Sequence, residues 1–378
     1  MKPAIDITPV RSAADMRRFI RVPVRLHAND PNFIAPLDLE RSEAFSAKKN
    51  PFFEHAEVQF WLAVRNGIDV GRISAQIDRL SPMLRDEGAG YFGLIAAEDD
   101  ADVFAALFTT AEAWLKERGC RRALGPFNLS VNEETGLLVD GANTPPMLMM
   151  GHDHPYVGSR IEALGYRGAK DLLAYLLDLE KAPSEGLKRV ISKQPKNLRI
   201  RPLDKSRYRE DIGTITAIFN DAWSQNWGFV PYTEAEVEHL ASALKPLLDP
   251  QLVPIAELDG EPVAFGVALP NLNEAIRDFD GKLLPFNWAK LLWRLKVRGV
   301  QTARVPLMGV RRSLGTGFAA RTVPFFVINA MRDRCLQRGI RNVELSWILE
   351  NNQPMRRVLE MLGSEVYKTY RIYGKTLA

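Results

Sequence analysis

With 378 residues the chain is long enough for two domains, and 25% charged with 46% hydrophobic residues is ordinary for a globular protein. A net charge of +4 without a concentrated basic patch gives no case for nucleic acid, which is excluded as a partner. The two cysteines, Cys120 and Cys335, are far apart and in no metal-like spacing, which excludes a disulfide scaffold; with no signal core and no apolar run near the ~18 residues of a membrane span, a cytoplasmic location is expected.

A short strand is expected over 5–10 and a helix over 16–26. Next comes a hairpin of 58–65 with 68–77, turning at Asn66-Gly67, a pair that tolerates positive φ at both turn positions. A strand over 91–97 leads through Glu98, Asp99 and Asp100 into a helix over 102–118. In that helix Val103, Leu107, Ala111, Trp114 and Leu115 recur at helical spacing before Gly119 ends it. A strand begins at Arg121, and a loop follows with Gly125-Pro126-Phe127-Asn128 and Asn132-Glu133-Glu134. A short helix over 155–164 and a strand over 171–179 complete this half, and 181–197, polar and basic with Pro183, Gly186 and Pro195, reads as a linker.

After the linker the same order returns. A strand over 198–203 precedes a helix with Ile212, Ile215, Phe219, Ala222 and Trp223 on one face, and Thr233 with Glu236 opens a second helix in capping-box spacing. A hairpin turns at Asp259-Gly260. Beyond it come a strand over 305–310, Arg311 and Arg312, a glycine turn over 315–319 and a long amphipathic helix over 321–338 that stops at Gly339. A strand over 342–348, a polar turn over 350–354 and a short helix ending at Leu362-Gly363 close the series. The halves align on their punctuation: Asn66-Gly67 on Asp259-Gly260, Arg118-Gly119 on Arg338-Gly339, Leu164-Gly165 on Leu362-Gly363. The chain is therefore expected to be two copies of one α/β fold, domains 1–180 and 198–378, with an insertion at about 271–300 in the second.

The glycine turn is where chemistry is expected. A helix N-terminus offers unpaired N–H groups and a partial positive charge, and glycine lets a phosphate approach the backbone closely. Two registers fit Arg/Gln-x-x-Gly-x-Gly: Arg312 to Gly317, and the same frame shifted by two with an apolar first position. Either puts the amides of Gly315, Thr316, Gly317, Phe318 and Ala319 toward a diphosphate, with Arg311 or Arg312 adding a side-chain contact. Downstream, Asn352 is followed by Met355, Val358, Leu359 and Gly363. This resembles the Asn-x-x-Ala-x-x-Leu-Tyr-x-x-x-Gly motif of the Gcn5-related N-acetyltransferase (GNAT) superfamily. The resemblance implies tandem GNAT-like folds, two mixed central sheets flanked by helices. It implies that the turn holds the pyrophosphate of coenzyme A and that Asn352 lies beside the pantetheine arm. The tyrosine that serves there as acid is Leu359 here, so Tyr367, Tyr370 and Tyr373 on the following strand are substitutes, with Tyr370 taken as the candidate.

N-acylation needs a neutral amine and a polarised thioester carbonyl, which in these folds meets a backbone N–H where the central strands part. A base must take the ammonium proton, and Glu350, at the end of its strand, is the first choice, with Glu344 the alternate. In the first half the corresponding turn, Glu98-Asp99-Asp100, has three carboxylates and no glycine, so it would repel a pyrophosphate; that half is expected to be degenerate for coenzyme A and to serve the acceptor. Asn132, Glu133 and His154 are its candidate substrate contacts, joined by Trp227 and Trp347 from the second half. His152 and His154 could chelate a metal, but no third ligand stands at a recognisable spacing, so none is expected.

The motifs 125–128, 132–141, Pro145-Pro146, 284–286, 344–350 and 367–373 resemble those of a bacterial family of double-domain acyltransferases that includes the bacterial ceramide synthases. That implies transfer of a long acyl chain from coenzyme A to a sphingoid base such as 3-oxosphinganine or sphinganine. Read as a helix, the insertion puts Trp288, Leu291, Leu292 and Leu295 on one arc, flanked by Lys290, Arg294 and Arg298. Cations beside an apolar, tryptophan-bearing face suit a peripheral contact with an anionic inner-membrane surface through 284–298; a helix packed on the core, or a lid over a lipid tunnel, fits the same pattern. The alternative activity is acetylation of a small polar amine or a peptide, which predicts a short, acidic insertion. A non-catalytic lipid- or coenzyme-binding module is the third reading.

Overall fold

Both halves begin their sheets with the same turn. The strands Ala56–Arg65 and Ile68–Asp78 meet at Asn66 and Gly67 with φ of 52° and 77°, and Pro254–Leu258 and Glu261–Pro270 meet at Asp259 and Gly260 with 54° and 87°. Two successive positive φ angles match the right-handed twist of the flanking strands. The protein is described from a computed structural model covering residues 4–182, 185–245, 248–315 and 317–377. It divides into two compact units. Unit 1 takes the chain up to Leu172, with Ile276–Lys290 and the end from Lys368; unit 2 takes Leu173–Ala275 and Leu291–Tyr367.

In unit 1 the strands Asp6–Pro9, Ala56–Arg65, Ile68–Asp78, Ala89–Ala97 and Arg122–Gly125 lie side by side in that order. Ala89–Ala97 and Arg122–Gly125 run parallel, whereas the earlier pairs are antiparallel. Alternation along Ala56–Arg65 sends Trp61 and Ala63 to one core and Phe60 and Leu62 to another. The helix Ala101–Glu117 covers the first face with Val103, Leu107 and Leu115; the helix Ala13–Leu26, opened by a Ser12/Asp15 capping box, covers the second with Phe19 and Ile20.

Unit 2 repeats the plan with Leu198–Pro202, Pro254–Leu258, Glu261–Pro270, Thr302–Val310 and Asn342–Leu349 in order, the last two parallel. The helix Phe318–Gln337 packs Val323, Val327 and Met331 onto one face, among Ala264, Val305 and Leu345. Across the sheet, Trp223, at the end of the helix Tyr208–Trp223, donates its indole N–H to the Met308 carbonyl at 3.0 Å. The expected Thr233/Glu236 capping box opens the helix Glu234–Leu244.

Two features depart from the sequence reading. The halves exchange their last strands: in the strand Glu365–Thr376, Tyr373 pairs with Gly125 in unit 1, while the 173–178 part of Arg167–Asp178 lies beside Asn342–Leu349 in unit 2. Neither exchange falls on the 1–180 and 198–378 boundaries read from the sequence. The segment 181–197, read as linker, contains the helix Glu185–Ile191. The insertion bears the expected helix as Asn287–Trp293 running on into a π-helical turn, Arg294–Arg298, preceded by a short helix, Leu272–Ile276.

Candidate active site

In unit 2 the strand Thr302–Val310 runs into a tight turn, Arg312–Leu314, and then Gly315 at φ 62°, ψ −138°, a conformation an L side chain rarely adopts. A Cβ there would meet nothing within 4 Å, so the glycine serves the backbone path rather than relieving a contact. Gly317 is the N-cap of Phe318–Gln337 and has no side chain with which to bond the first turn. The first-turn amides therefore lie beside exposed glycine backbone, a ready anion site. Arg311 is pinned to the preceding hairpin, its amide on the Val263 carbonyl at 2.7 Å and its Nε on the Pro262 carbonyl at 2.9 Å. Arg312 is exposed; its amide donates to Asp221 at 2.7 Å and its guanidinium to Ser224 Oγ at 3.1 Å. Thr316 and the side chain of Phe318 lie outside the described residues.

The parallel pairing of Thr302–Val310 with Asn342–Leu349 runs from Thr302↔Asn342 to Val305↔Leu345 and stops. Pro306 follows, which has no N–H to continue it, and both strands run on unpaired with each other. Just before the parting, Arg304 and Glu344 face each other in register, both almost wholly buried. Arg304 Nε donates to Ser346 Oγ at 2.9 Å and lies 3.4 Å from Glu344; Ser346 Oγ donates to Glu344 Oε1 at 2.6 Å; and the Tyr367 hydroxyl donates to Glu344 Oε2. A buried pair persists only if such bonds satisfy its remaining lone pairs. Both Glu344 oxygens are thus engaged, so this carboxylate fixes Tyr367 rather than standing ready as a base. The Arg304 guanidinium stacks on Trp347 at 4.6 Å, and the Trp347 Nε1 is buried with no hydrogen-bond partner among the described residues.

The corresponding place in unit 1 is closed by its own chain. Ala89–Ala97 pairs with Arg122–Gly125 only as far as Tyr91↔Leu124, and Phe127 and Asn128 enter the gap. Leu94, at φ 50°, donates its amide to Asn128 Oδ1 at 2.7 Å, and Gln76 Nε2 holds the Phe127 carbonyl at 2.5 Å. A Cβ on Gly93 would come within 1.8 Å of that carbonyl oxygen, so only glycine admits this approach. The acidic turn is neutralised internally. Arg65 bonds Glu98 and Asp100 at 2.7 and 2.8 Å, Arg160 bonds Asp99 at 2.8 Å, and Asp100 caps the helix through Asp102 N–H.

Unit 1 holds a second polar cluster. Arg41 pairs with Glu134, which also accepts from Asn128 Nδ2 at 3.1 Å, and Asp153 accepts the Leu138 amide at 2.9 Å. Burial pushes the Glu133 carboxyl up to about 8 against the pull of Arg41 and an Asn50 hydrogen bond. Burial likewise lifts Asp153 to about 7. For Glu134 burial acts in the same sense, but Arg41 and Asn128 outweigh it and hold the carboxylate below its usual range.

No family model matches the chain. It is 53% identical over 376 residues, 99% of this chain and 98% of the relative, to the bacterial ceramide synthase of Caulobacter vibrioides. The chain belongs to the bacterial ceramide synthase family. Protein YghO of Escherichia coli is 47% identical, covering 96% of this chain and 93% of that protein. Among solved structures, a tandem GNAT protein from the clavulanic acid biosynthesis pathway superposes with a TM-score of 0.60 at 11% identity, covering 99% of both chains. A GCN5-related N-acetyltransferase from Sphaerobacter thermophilus gives 0.54 at 14% identity, covering 100% of this chain and 97% of that one. The fold of this ceramide synthase family member is therefore α/β in tandem GNAT units.

The candidates read from the sequence fall into two groups. Arg311, Arg312, Gly315, Gly317, Ala319, Trp347, Glu350 and Asn352 are in unit 2, around the turn and the two parting strands. Asn352 N-caps Gln353–Met361, accepting the Met355 amide at 3.3 Å, and the Glu350 carbonyl takes a bond from Arg356 at 2.9 Å. Trp227, also in unit 2, is half-buried in the turn after Tyr208–Trp223. Asn132, Glu133, His154 and Tyr370 are in unit 1. The Asn132 amide donates to Ser130 Oγ at 3.1 Å, and His154 stacks on His27. Tyr370 corrects the expectation of an accessible acid. It is 0% exposed and its hydroxyl donates to the Gly151 carbonyl at 3.4 Å, because the strand exchange carries it into the unit 1 interior. Tyr373 is equally buried, which pushes its phenol up to about 12, whereas Tyr367 stays in unit 2 and half-exposed. The sequence reading missed Arg304, Arg41 and Asp153. For Arg304 a signal existed: a lone charge inside an apolar strand, with a second lone charge, Glu344, on the next.

Proposed function

We propose that the chain is an acyl-CoA-dependent N-acyltransferase that moves a long acyl chain onto the amine of a sphingoid base such as sphinganine or 3-oxosphinganine, forming a ceramide-type amide. The observation that carries this reading is the uncapped glycine turn at 315–319 beside strands that part after Val305 and Leu345, in a chain 53% identical to a ceramide synthase. The turn would hold the diphosphate of coenzyme A, and Asn352 would line the pantetheine arm. A backbone N–H at the parting would receive the carbonyl oxygen as it gains charge. The amine lone pair attacks the thioester carbon, the C–N bond forms and the C–S bond breaks. Glu350 takes the ammonium proton, directly or through water, and thiolate sulfur leaves to be protonated.

The acid is assigned to Tyr367 rather than Tyr370. Tyr367 is half-exposed, on the same unit as the turn, and oriented by Glu344, whereas Tyr370 has no surface. Unit 1 would take no coenzyme A, since its gap is filled by Phe127 and Asn128 and its helix N-terminus is capped by Asp100. Its Glu133 and Asp153, which burial holds protonated to near-neutral pH, would offer hydrogen bonds to the hydroxyl or carbonyl of the head group, with Asn132 and His154 beside them in the acceptor role.

The insertion favours a lipid acceptor. Leu284 and Phe286 are 74% and 79% exposed, and Trp288, Leu292, Trp293 and Val297 are also out in solvent. Exposed Lys296 and Arg298 flank them, together with Lys282 and Lys290, which pair with Asp280 and Asp278. No helix among the described residues is long and apolar enough to cross a membrane. A peripheral contact of 284–298 with an anionic lipid surface would bury those side chains, and each nearby cation would add about 1 kcal/mol. Acetylation of a small polar amine, the second reading, calls for a compact acidic insertion instead. Thiol release from palmitoyl-CoA, measured with and without sphinganine, tests the proposal. Release that depends on sphinganine is expected; preference for acetyl-CoA would support the second reading, and binding without turnover would reject both.

A further inference from the structure

Two histidines that the acyl transfer does not use, His27 and His152, cluster with His154 in unit 1. His27, at the C-terminal cap of Ala13–Leu26, stacks on His154 with ring centroids 3.9 Å apart. Asp30 Oδ2 lies 3.5 Å from His27 Nδ1 and 2.8 Å from His152 Nε2. One ligand atom from each of His27, Asp30 and His154 falls within 4.8 Å of the others. The partners of these atoms are incomplete. His27 is 5% exposed, and its Nδ1 has no hydrogen-bond partner among the described residues. His154 Nε2 faces the Leu26 carbonyl at 3.2 Å, and a carbonyl only accepts, so that nitrogen carries the proton and Nδ1 keeps a lone pair. Asp30 is ionised, and its ion-pair neighbours among the described residues are His27 and His152. The fixed cation acting on the cluster is Lys368, which bears on His152 and whose Nζ donates to the Thr144 carbonyl.

Two imidazole nitrogens and one carboxylate oxygen, completed by water, are the donors of a tetrahedral first-row metal. We propose that His27, Asp30 and His154 bind a divalent first-row cation, zinc foremost, which ties the end of the first helix to the 152–154 loop. His152 stands behind the site, its Nε2–H holding Asp30 in place as a hydrogen-bonded neighbour of the ligand. The two rings lie nearly parallel, 10° apart, so converging on one ion turns one imidazole about its Cβ–Cγ bond. The unpartnered Nδ1 of His27 then gains the partner it lacks. Cys120 and Cys335 are both buried thiols outside the site and do not compete for the ion.

The test uses the tag-free full chain, stripped with chelator and titrated with zinc by calorimetry, with cobalt as the spectroscopic substitute. One equivalent is expected to bind and to raise the melting temperature, and cobalt should give the visible absorption of a tetrahedral site. His27→Ala, Asp30→Asn and His154→Asn should each weaken zinc binding about tenfold or more, and His152→Phe by less. Circular dichroism checks that each variant folds, and His154→Asn stands in should His27→Ala fail. No stoichiometric zinc binding, or binding and thermal shift unchanged in His154→Asn, overturns the proposal.

Discussion

Units 1 and 2 carry the same parallel pair of strands followed by a turn and a helix, yet they treat the space after it in opposite ways. In unit 2 the pairing stops at Val305↔Leu345 before a proline, and the next helix opens on glycine with no side-chain cap. In unit 1 it stops at Tyr91↔Leu124, the chain's own Phe127-Asn128 fills the gap, and Asp100 caps the helix. The helix N-terminus has the same unsatisfied amides in both units. A carboxylate side chain in one satisfies them internally, while glycine in the other leaves them for a ligand.

The largest expected effect comes from removing this difference. Arg312→Ala with Gly317→Val should weaken coenzyme A binding at least ~100-fold, about 2.8 kcal/mol, by calorimetry. Asp99→Ala in the opposite turn should leave it unchanged, and a loss there would place the cofactor in unit 1. The next effect separates the tyrosines. Tyr367→Phe should lower kcat ~100-fold with coenzyme A affinity intact, as should Glu350→Gln, whereas Tyr370→Phe should cost about 1 kcal/mol of stability and little rate. Equal kinetic loss at Tyr370 would reverse the assignment.

Filling the closed gap probes the other side of the comparison. Gly93→Ala, which drives a methyl into the Phe127 carbonyl, should destabilise the fold by about 3 kcal/mol in denaturant titration while sparing coenzyme A affinity. The insertion should matter less to chemistry than to location. Phe286→Ser with Trp288→Ser should reduce sedimentation with anionic vesicles about tenfold. Turnover of a water-soluble short-chain substrate should not change.

A further effect is a pH dependence. Folded Glu133 holds its proton to about pH 8, while the unfolded chain releases it near 4.5, so this group's contribution to stability is full below pH 4.5 and lost as pH rises through 8. Glu133→Gln should flatten the fall in melting temperature between pH 5 and 8; an unchanged profile would show that the carboxyl is not held neutral.

Much of this was legible along the chain. The paired Asn-Gly and Asp-Gly turns and the glycines at 119, 165, 339 and 363, all at positive φ, are local requirements of backbone geometry, and they exposed the repeat. The glycine turn and the Asn352 cap were likewise written within a few residues of each other. The strand exchange was not legible, since Tyr367, Tyr370 and Tyr373 look alike in sequence and only the pairing of 369–371 with Leu137–Asp140 and of 373–376 with Arg122–Gly125 sends two of them inside. Nor was the ion pair of Arg304 with Glu344, or the meeting of His27 with His154, because each joins positions far apart in the chain.

By itself the sequence determined the elements, their order, their duplication and the turn able to grip a diphosphate, because turns, caps and periodicity act over a few residues. Tertiary structure decided which carboxylate stays protonated, which tyrosine remains accessible, and which copy keeps an open gap. Those depend on burial and on partners brought together by the sheets, which no local pattern records.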